Sequence, residues 1–130
     1  MFTFRNVLAF GIFLFGTTFL WLTAAFNGGE RSATGAIWKV IQALALVAIG
    51  GFALVAWGIF KTTGWWEPVA VASAVVGMAS VIPYWVAIHR TPNAVNAAAL
   101  ENVAVHFLGG AVVLTTLLAP ALQRWITGRI

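Results

Sequence analysis

Four long stretches of this 130-residue sequence contain no Asp, Glu, Lys or Arg, and they restrict what the chain can fold into. They run from Val7 to Phe26, from Val40 to Phe60, from Val69 to Ile88 and from Val103 to Leu122. Each has about the 20 residues that a helix needs to cross a hydrocarbon layer about 30 Å thick. Hydrophobic residues make up 62% of the chain and charged residues 8%, which are too few to cover a globule in water. The sequence therefore predicts an integral membrane protein and excludes a soluble enzyme, a nucleic-acid-binding domain and a disordered tail.

The predicted fold class is an all-α membrane protein. No stretch alternates polar and apolar residues as a barrel strand does, and lipid offers no partner for backbone amides, so each stretch is expected to be a helix. Short connections favour antiparallel neighbours. We therefore predict a four-helix antiparallel transmembrane bundle, a single domain of residues 1–130 with helices at about 7–26, 40–60, 69–88 and 103–122. The first stretch is longer than a signal-peptide core, so we expect it to be retained, and residues 94–100 are expected to form a short surface helix.

Seven basic and three acidic residues give the chain a net charge of +4, but the basic residues stand singly near the ends of the apolar stretches. Scattered cations do not form a surface that follows phosphates, so we predict no nucleic-acid partner. Basic residues that flank spans instead set their orientation. One predicted face collects Arg5, Lys61, Arg124 and Arg129, and the other collects Arg31, Lys39 and Arg90. This imbalance favours both termini in the cytoplasm, in an inner membrane, and leaves a dual topology open.

Two helices carry stripes of small and weakly polar residues at helical spacing. On the third helix the stripe is Ser73, Gly77, Ser80 and Tyr84, and on the fourth it is Asn102, His106, Gly109, Val113, Thr116 and Pro120. Residues at steps of three and four share one helix face, where small side chains let helices approach and polar ones bond between helices. We predict that these stripes pack inside the bundle, and the alternative is a lined cavity or substrate path.

The two histidines are the strongest candidates for a cofactor site. His89 directly follows the third apolar stretch, and His106 is the fourth residue of the last one. At 1.5 Å per residue, His106 lies about 5 Å inside the membrane face where His89 emerges. Two imidazoles on adjacent antiparallel helices are the axial ligands of a b-type haem in one interpretation, and part of another metal site in a second. Interfacial histidines bonded to a helix end or a lipid headgroup are the simpler interpretation, so we predict no bound metal and no cofactor beyond the alternative of haem b.

Other chemistries find little support in the sequence. The chain has no cysteine and no aspartate, which removes thiolate sites and a Ser/His/Asp set. Glu67 and Glu101 are expected in the first turns of helices, where a carboxylate complements the positive helix end. The first apolar stretch lacks the glutamate that a small cation-coupled exporter would carry there. We therefore predict no catalytic residues.

The sequence from Gly50 to Phe60 (GGFALVAWGIF), the turn from Gly64 to Pro68 (GWWEP) and the Ala/Val-rich third helix resemble small DoxX-like four-helix membrane proteins. Some members of that group look like subunits of membrane-bound quinone oxidoreductases. The resemblance implies a four-helix fold beside partner subunits, and it implies no catalytic motif.

Taken together, these patterns favour a non-catalytic integral membrane subunit or scaffold that packs against partner membrane chains or further copies of itself. A quinone or electron-transfer complex is one setting for it. One alternative is a small dimeric transporter or channel, with Ser80, Asn102 and Thr116 along a wet cavity. A second alternative is a b-type haem electron-transfer protein that uses His89 and His106. If the stripes join separate subunits, Gly77→Leu or Gly109→Leu is expected to disrupt assembly without affecting insertion.

Overall fold

The structure is a computed structural model that describes residues 2–26 and 35–130. Helix α1 (Phe4–Thr17) continues as two 3₁₀ turns, Thr18–Leu22 and Ala24–Phe26. Three long helices and one short helix follow in the chain: α2 (Ala36–Lys61), α3 (Trp66–Arg90), α4 (Ala97–Leu118) and α5 (Pro120–Thr127).

Four elements are long and apolar enough to cross a membrane: Phe4–Leu22, Ala36–Lys61, Trp66–Arg90 and Ala97–Leu118. The described residues contain no strand. These findings confirm the predicted all-α membrane fold and describe a multi-pass membrane protein. We call Phe4–Leu22 the first span, because α1 and the 3₁₀ turn after it together have the required length.

The first span changes its helix type where threonines gather. The hydroxyl of Thr17 donates to the carbonyl of Leu14 at 2.7 Å, and the hydroxyl of Thr18 donates to the carbonyl of Phe15 at 2.6 Å. Hydroxyl groups that bond to the preceding turn compete with the helix ladder and bend the chain. The α-helix therefore ends at Thr17, whereas the sequence predicted one helix over 7–26.

The fourth helix begins earlier and ends earlier than the predicted 103–122. Asn96 caps its N-terminus, with the side-chain oxygen accepting from the backbone N–H of Ala99 at 2.9 Å. The helix therefore takes up most of the predicted surface helix at 94–100. At the other end Ala119 has φ −83° and ψ 115°, because a residue before proline avoids the helical conformation. Pro120 then starts α5 as a separate helix.

The helices form a row whose outer members meet only in part. Helix α2 packs against α1 and α3, and α3 packs against α4, whereas α4 meets the first span mainly through the 3₁₀ turn Thr18–Leu22. In their most apolar stretches 39% and 44% of the residues of α2 and α3 are buried, against 22% and 17% in the first span and α4. The first span and α4 are therefore the outer helices. We call the line along which they face each other the seam.

Alternating helix directions collect the charged residues at two ends of the bundle. The start of α1, the end of α2 and helix α5 share one end, which we call the basic face after its cations Arg5, Lys61, Arg124 and Arg129. The start of α2 and the end of α3 share the opposite end, which we call the His89 face. It also carries Lys39 and Arg90 among the described residues, whereas Arg31 lies outside them.

Candidate functional site at the seam

Like Tyr84 among the candidates, His106 is a fully buried ionisable side chain. It lies on α4 with 0% of its surface exposed, among the rings of Phe15, Phe19 and Trp21. The closest ring is that of Phe19, whose centroid is 4.6 Å from the imidazole centroid in an edge-to-face arrangement. The aromatic residues of the first span therefore enclose a polar group that belongs to α4.

Both imidazole nitrogens of His106 have hydrogen-bond partners. Nδ1 lies 2.6 Å from the backbone carbonyl of Asn102, one turn earlier in α4, and donates to it because a carbonyl can only accept. Nε2 lies 3.1 Å from the hydroxyl of Thr18, which is the first residue of the 3₁₀ turn. The Thr18 contact links α4 directly to the first span across the seam.

The Thr18 hydroxyl has one proton and two acceptors within reach. Its oxygen lies 2.6 Å from the carbonyl of Phe15 and 3.1 Å from Nε2 of His106. When the imidazole is neutral, Nε2 is an acceptor and competes with the carbonyl for that proton. When the imidazole is charged, Nε2 donates to the hydroxyl and the hydroxyl donates to the carbonyl. The Thr18–His106 contact is therefore compatible with either protonation state of the imidazole.

Asn102 extends the polar cluster to a third span. Its side-chain amide donates to the hydroxyl of Tyr84 on α3 at 3.1 Å and to the backbone carbonyl of Trp21 at 3.2 Å. The ring of Tyr84 meets that of Trp38 on α2 edge to face, with centroids 6.3 Å apart. We call Thr18, Tyr84, Asn102 and His106 the seam cluster. Through it and Trp38, all four spans meet at one level near the His89 face.

A polar cavity of about 200 Å³ adjoins the seam cluster on its outer side. Its lining comes mainly from the α3–α4 connection and the start of α4, and it includes Asn93, Asn96 and Asn102. Asn93 lies in the left-handed region with φ 59°, which asparagine tolerates better than most residues and which the turn between the two helices requires. Asn102 is the one member of the seam cluster that lines this cavity.

An apolar cleft of about 170 Å³ opens along the other half of the seam, toward the basic face. All five helices contribute to its lining, including Leu8, Val55, Ala70, Val113 and Ile126. Thr116 also lines it, and its hydroxyl forms no hydrogen bond with the described residues. The cleft and the seam cluster therefore divide the seam into an open apolar half and a closed polar half.

The structure does not bring the two histidines together. His89 is exposed at the end of α3, where Nδ1 donates to the carbonyl of Trp85 at 2.8 Å and the ring lies 4.4 Å from the Trp85 ring. Among the described residues, no hydrogen bond or ring contact joins His89 to His106, and no group of three His, Cys, Asp or Glu side chains is placed to hold a metal ion. Ligation of a haem iron by His106 would require the loss of its bond to Thr18. The arrangement therefore does not fit haem b held between these two residues.

The stripe of α3 lies inside the chain. Ser73, Gly77, Ser80 and Tyr84 are all buried, and the Ser80 hydroxyl donates to the carbonyl of Gly77 at 2.5 Å. A Cβ atom on Gly77 would lie 2.6 Å from Cζ of Phe19. Real Cβ atoms do not approach so closely, so Gly77 is what allows the Phe19 ring to pack there.

From Asn102 to Thr116 the stripe of α4 also faces the interior of this chain, whereas Pro120 is exposed at the start of α5, and the members lie at different places. A Cβ atom on Gly109 would collide with the ring of Phe15. Asn102 lines the polar cavity, Thr116 lines the apolar cleft, and Ser80 of α3 is buried apart from both. The three residues expected along one wet cavity thus share none among the described cavities. Because Gly77 and Gly109 both contact phenylalanines of the same chain, substituting them tests the folding of the chain rather than its assembly.

The two glutamates near helix ends have different surroundings. Glu67 lies in the first turn of α3, as predicted, and accepts a hydrogen bond from the side chain of Gln123 in α5 at 3.0 Å. The prediction that Glu101 lies in the first turn of the fourth helix is wrong, because α4 begins at Ala97. Glu67 therefore ties α5 to the bundle, and Glu101 lies exposed on the second turn of α4.

Sequence reasoning placed Asn102 and His106 on one helix face but missed Thr18 as their partner. The only signal was the Thr17-Thr18 pair, the one place in the first apolar stretch where two polar residues are adjacent. No periodicity relates residue 18 to residue 106, which are 88 positions apart.

No family model, no curated protein and no solved structure matches this chain. The resemblance to DoxX-like proteins therefore remains a prediction that depends on the residues from Gly50 to Pro68 and the composition of the third helix.

Proposed function

We propose that this chain is a non-catalytic integral membrane subunit that packs against a partner membrane chain through the open half of its seam. The observation that carries the proposal is the division of the seam. In one half, polar side chains form hydrogen bonds that join the spans. In the other half, an apolar cleft lies between the first span and α4, which are the least buried of the four spans.

The closed half supports a structural role because its polar groups bond to one another. The imidazole of His106 has a partner at each nitrogen, and the amide of Asn102 donates to two oxygens. A catalytic group needs an atom that can reach a substrate, and the burial of His106 leaves none exposed. Such bonds between helices stabilise a membrane bundle by about 0.6–2 kcal/mol each.

The open half supports contact with a partner helix. Helices in lipid associate by close packing rather than by the hydrophobic effect, so an indentation between two helices is a feature that a neighbouring side chain can fill. At the rim of the cleft Val112 is 64% exposed, and the depth of the cleft is apolar apart from Thr116. The partner we expect is an apolar transmembrane helix with a large aliphatic or aromatic side chain at this level. The DoxX-like resemblance favours a quinone or electron-transfer complex as its setting.

The test is the mass of the assembly after gentle extraction from native membranes. We expect the tagged wild-type chain to migrate in a complex larger than its own 13.9 kDa, and Val112→Trp to release it because the indole fills the cleft. Val75→Trp is the matched control, since Val75 is an exposed valine on α3 outside the described cavities. A wild-type chain that migrates alone, or a complex that survives Val112→Trp, would contradict the proposal.

We also propose an inner-membrane location with both termini in the cytoplasm. The basic face carries four cations, and the His89 face carries Lys39 and Arg90, with Arg31 expected on that side from the sequence alone. Lysine and arginine accumulate on the cytoplasmic side of a membrane. The chain has no cysteine, so single cysteines can report orientation. A membrane-impermeant maleimide applied to intact cells is expected to label Asn93→Cys and not Lys61→Cys. The reverse pattern, or equal labelling of both, would contradict this orientation.

A further inference from the structure

The C-terminal end of the chain brings three arginines to one edge of the basic face. The ring of Trp125 in α5 meets that of Phe4 in α1 edge to face, with centroids 6.0 Å apart. The guanidinium carbon of Arg129 lies 4.4 Å from the centroid of the same indole. The Arg129 side chain therefore lies on the indole, and the Phe4–Trp125 contact brings the backbones of their neighbours Arg5 and Arg124 to the same edge.

These arginines are not neutralised by the protein. The described residues form no salt bridge, and the nearby carboxylate of Glu67 accepts from the side chain of Gln123. Arg124 and Arg129 are exposed. The Nε atom of Arg5 is buried and has no hydrogen-bond partner, and a buried donor without an acceptor is unfavourable. The cluster therefore presents two exposed arginines beside the partly buried Arg5, and none of the three is paired with a carboxylate of the described residues.

The residues around the three arginines indicate that a bound anion would be a lipid headgroup. Helix α5 follows the break at Ala119 and buries Ile126 against the bundle, while Leu122 and Trp125 remain exposed beside the arginines. An exposed leucine and an exposed indole next to guanidinium groups are typical of the boundary between hydrocarbon and headgroups. Positively charged side chains attract phosphate groups, and clusters of them beside membrane spans bind anionic headgroups.

We propose that Arg5, Arg124 and Arg129 form a binding site for the phosphate headgroup of an anionic phospholipid, with Leu122 and Trp125 against its glycerol and upper acyl region. None of these five residues lines the cleft, so the site does not depend on the proposed partner subunit.

Lipid retention measures the site directly. The purified chain is reconstituted in nanodiscs of mixed phosphatidylcholine and phosphatidylglycerol, and the lipids that stay bound are identified by native mass spectrometry. A basic side chain at an anionic surface contributes a factor of about five, so Arg124→Gln combined with Arg129→Gln is expected to weaken phosphatidylglycerol binding about 30-fold. The matched control is Lys39→Gln combined with Arg90→Gln, which removes the same charge from the His89 face and is expected to retain the preference. Equal loss in both pairs, or no loss in either, would overturn the proposal.

Two further experiments test whether the bound anion is a lipid or free phosphate, and whether the positive charge of the side chains is what binds it. In detergent, phosphatidylglycerol is expected to raise the unfolding temperature and inorganic phosphate is not. Equal protection by inorganic phosphate would overturn the assignment to a lipid. Arg124→Lys combined with Arg129→Lys keeps the charge and is expected to keep most of the lipid preference. If this pair loses as much as the glutamine pair, the effect arises from packing on Trp125, and the headgroup assignment fails.

Discussion

The two halves of the seam join the same pair of spans and differ in how closely the spans approach. Near the His89 face, the Thr18–His106 contact and the bonds of Asn102 hold the first span against α4 and α3. Toward the basic face, Leu8 and Ile12 of α1 face Val113 and Leu117 of α4 across a cleft. In water such apolar surfaces would close on each other, but in lipid the acyl chains solvate them equally well. In this bundle polar bonds and close packing at glycines accompany closure, whereas apolar side chains alone leave the seam open.

The largest effect is expected where a glycine allows the closed half to pack. Gly77→Leu places a side chain where the Phe19 ring lies, and that ring has little room to move because it also contacts Phe52 and His106. We expect a loss of about 3 kcal/mol in the free energy of unfolding, measured by titration with a denaturing detergent. Gly11→Leu is the control, because a Cβ atom there has open space, and it should not destabilise the chain. Equal stability of the two variants would show that this contact does not constrain the bundle.

A smaller effect is expected from removing the buried imidazole. His106→Ala breaks the contact with Thr18 and the bond to the Asn102 carbonyl, and should reduce the free energy of unfolding by about 2 kcal/mol. His89→Ala removes an exposed ring that bonds only within its own helix and should change stability by less than about 0.5 kcal/mol. The same unfolding titration compares them. Similar losses for both histidines would mean that closure of the seam does not depend on His106.

The smallest and sharpest comparison uses one substitution in each half of the seam. Thr18→Val removes the hydroxyl that contacts His106 and is expected to cost about 1 kcal/mol, most of which should disappear in the His106→Ala background. Thr116→Val removes a hydroxyl without a bond to the described residues, from an apolar cleft, and should change stability by less than about 0.5 kcal/mol. If the Thr18 effect is unchanged in the His106→Ala background, the two residues do not act together.

The existence and number of the spans could be predicted from the sequence because they follow from the solvent. Stretches such as Val40–Phe60 are too apolar to remain in water, and their backbone must form helices in lipid. The helix ends were harder to predict, because single residues decide them. Asn96 starts α4 before the apolar stretch does, and Pro120 ends it within that stretch. Hydropathy averaged over about 20 residues does not register either effect.

The seam cluster could be predicted only on the α4 side. The step of four residues from Asn102 to His106 places both on one face, a local property of any helix. That Thr18 and Tyr84 meet them depends on the 3₁₀ turn and on how the spans pack. The histidine pair illustrates the same limit, since their similar predicted depths gave no information on which way each ring points.

The sequence by itself determined that this chain lies in a membrane as four helices, because transfer of its side chains between water and lipid depends on their chemistry and hardly on their neighbours. Only the tertiary structure decided which polar atoms meet, which glycines receive an aromatic ring, and where the seam stays open. Those outcomes depend on distances of a few tenths of an ångström between residues far apart in the chain, and hydrogen bonding and packing vary steeply over such distances.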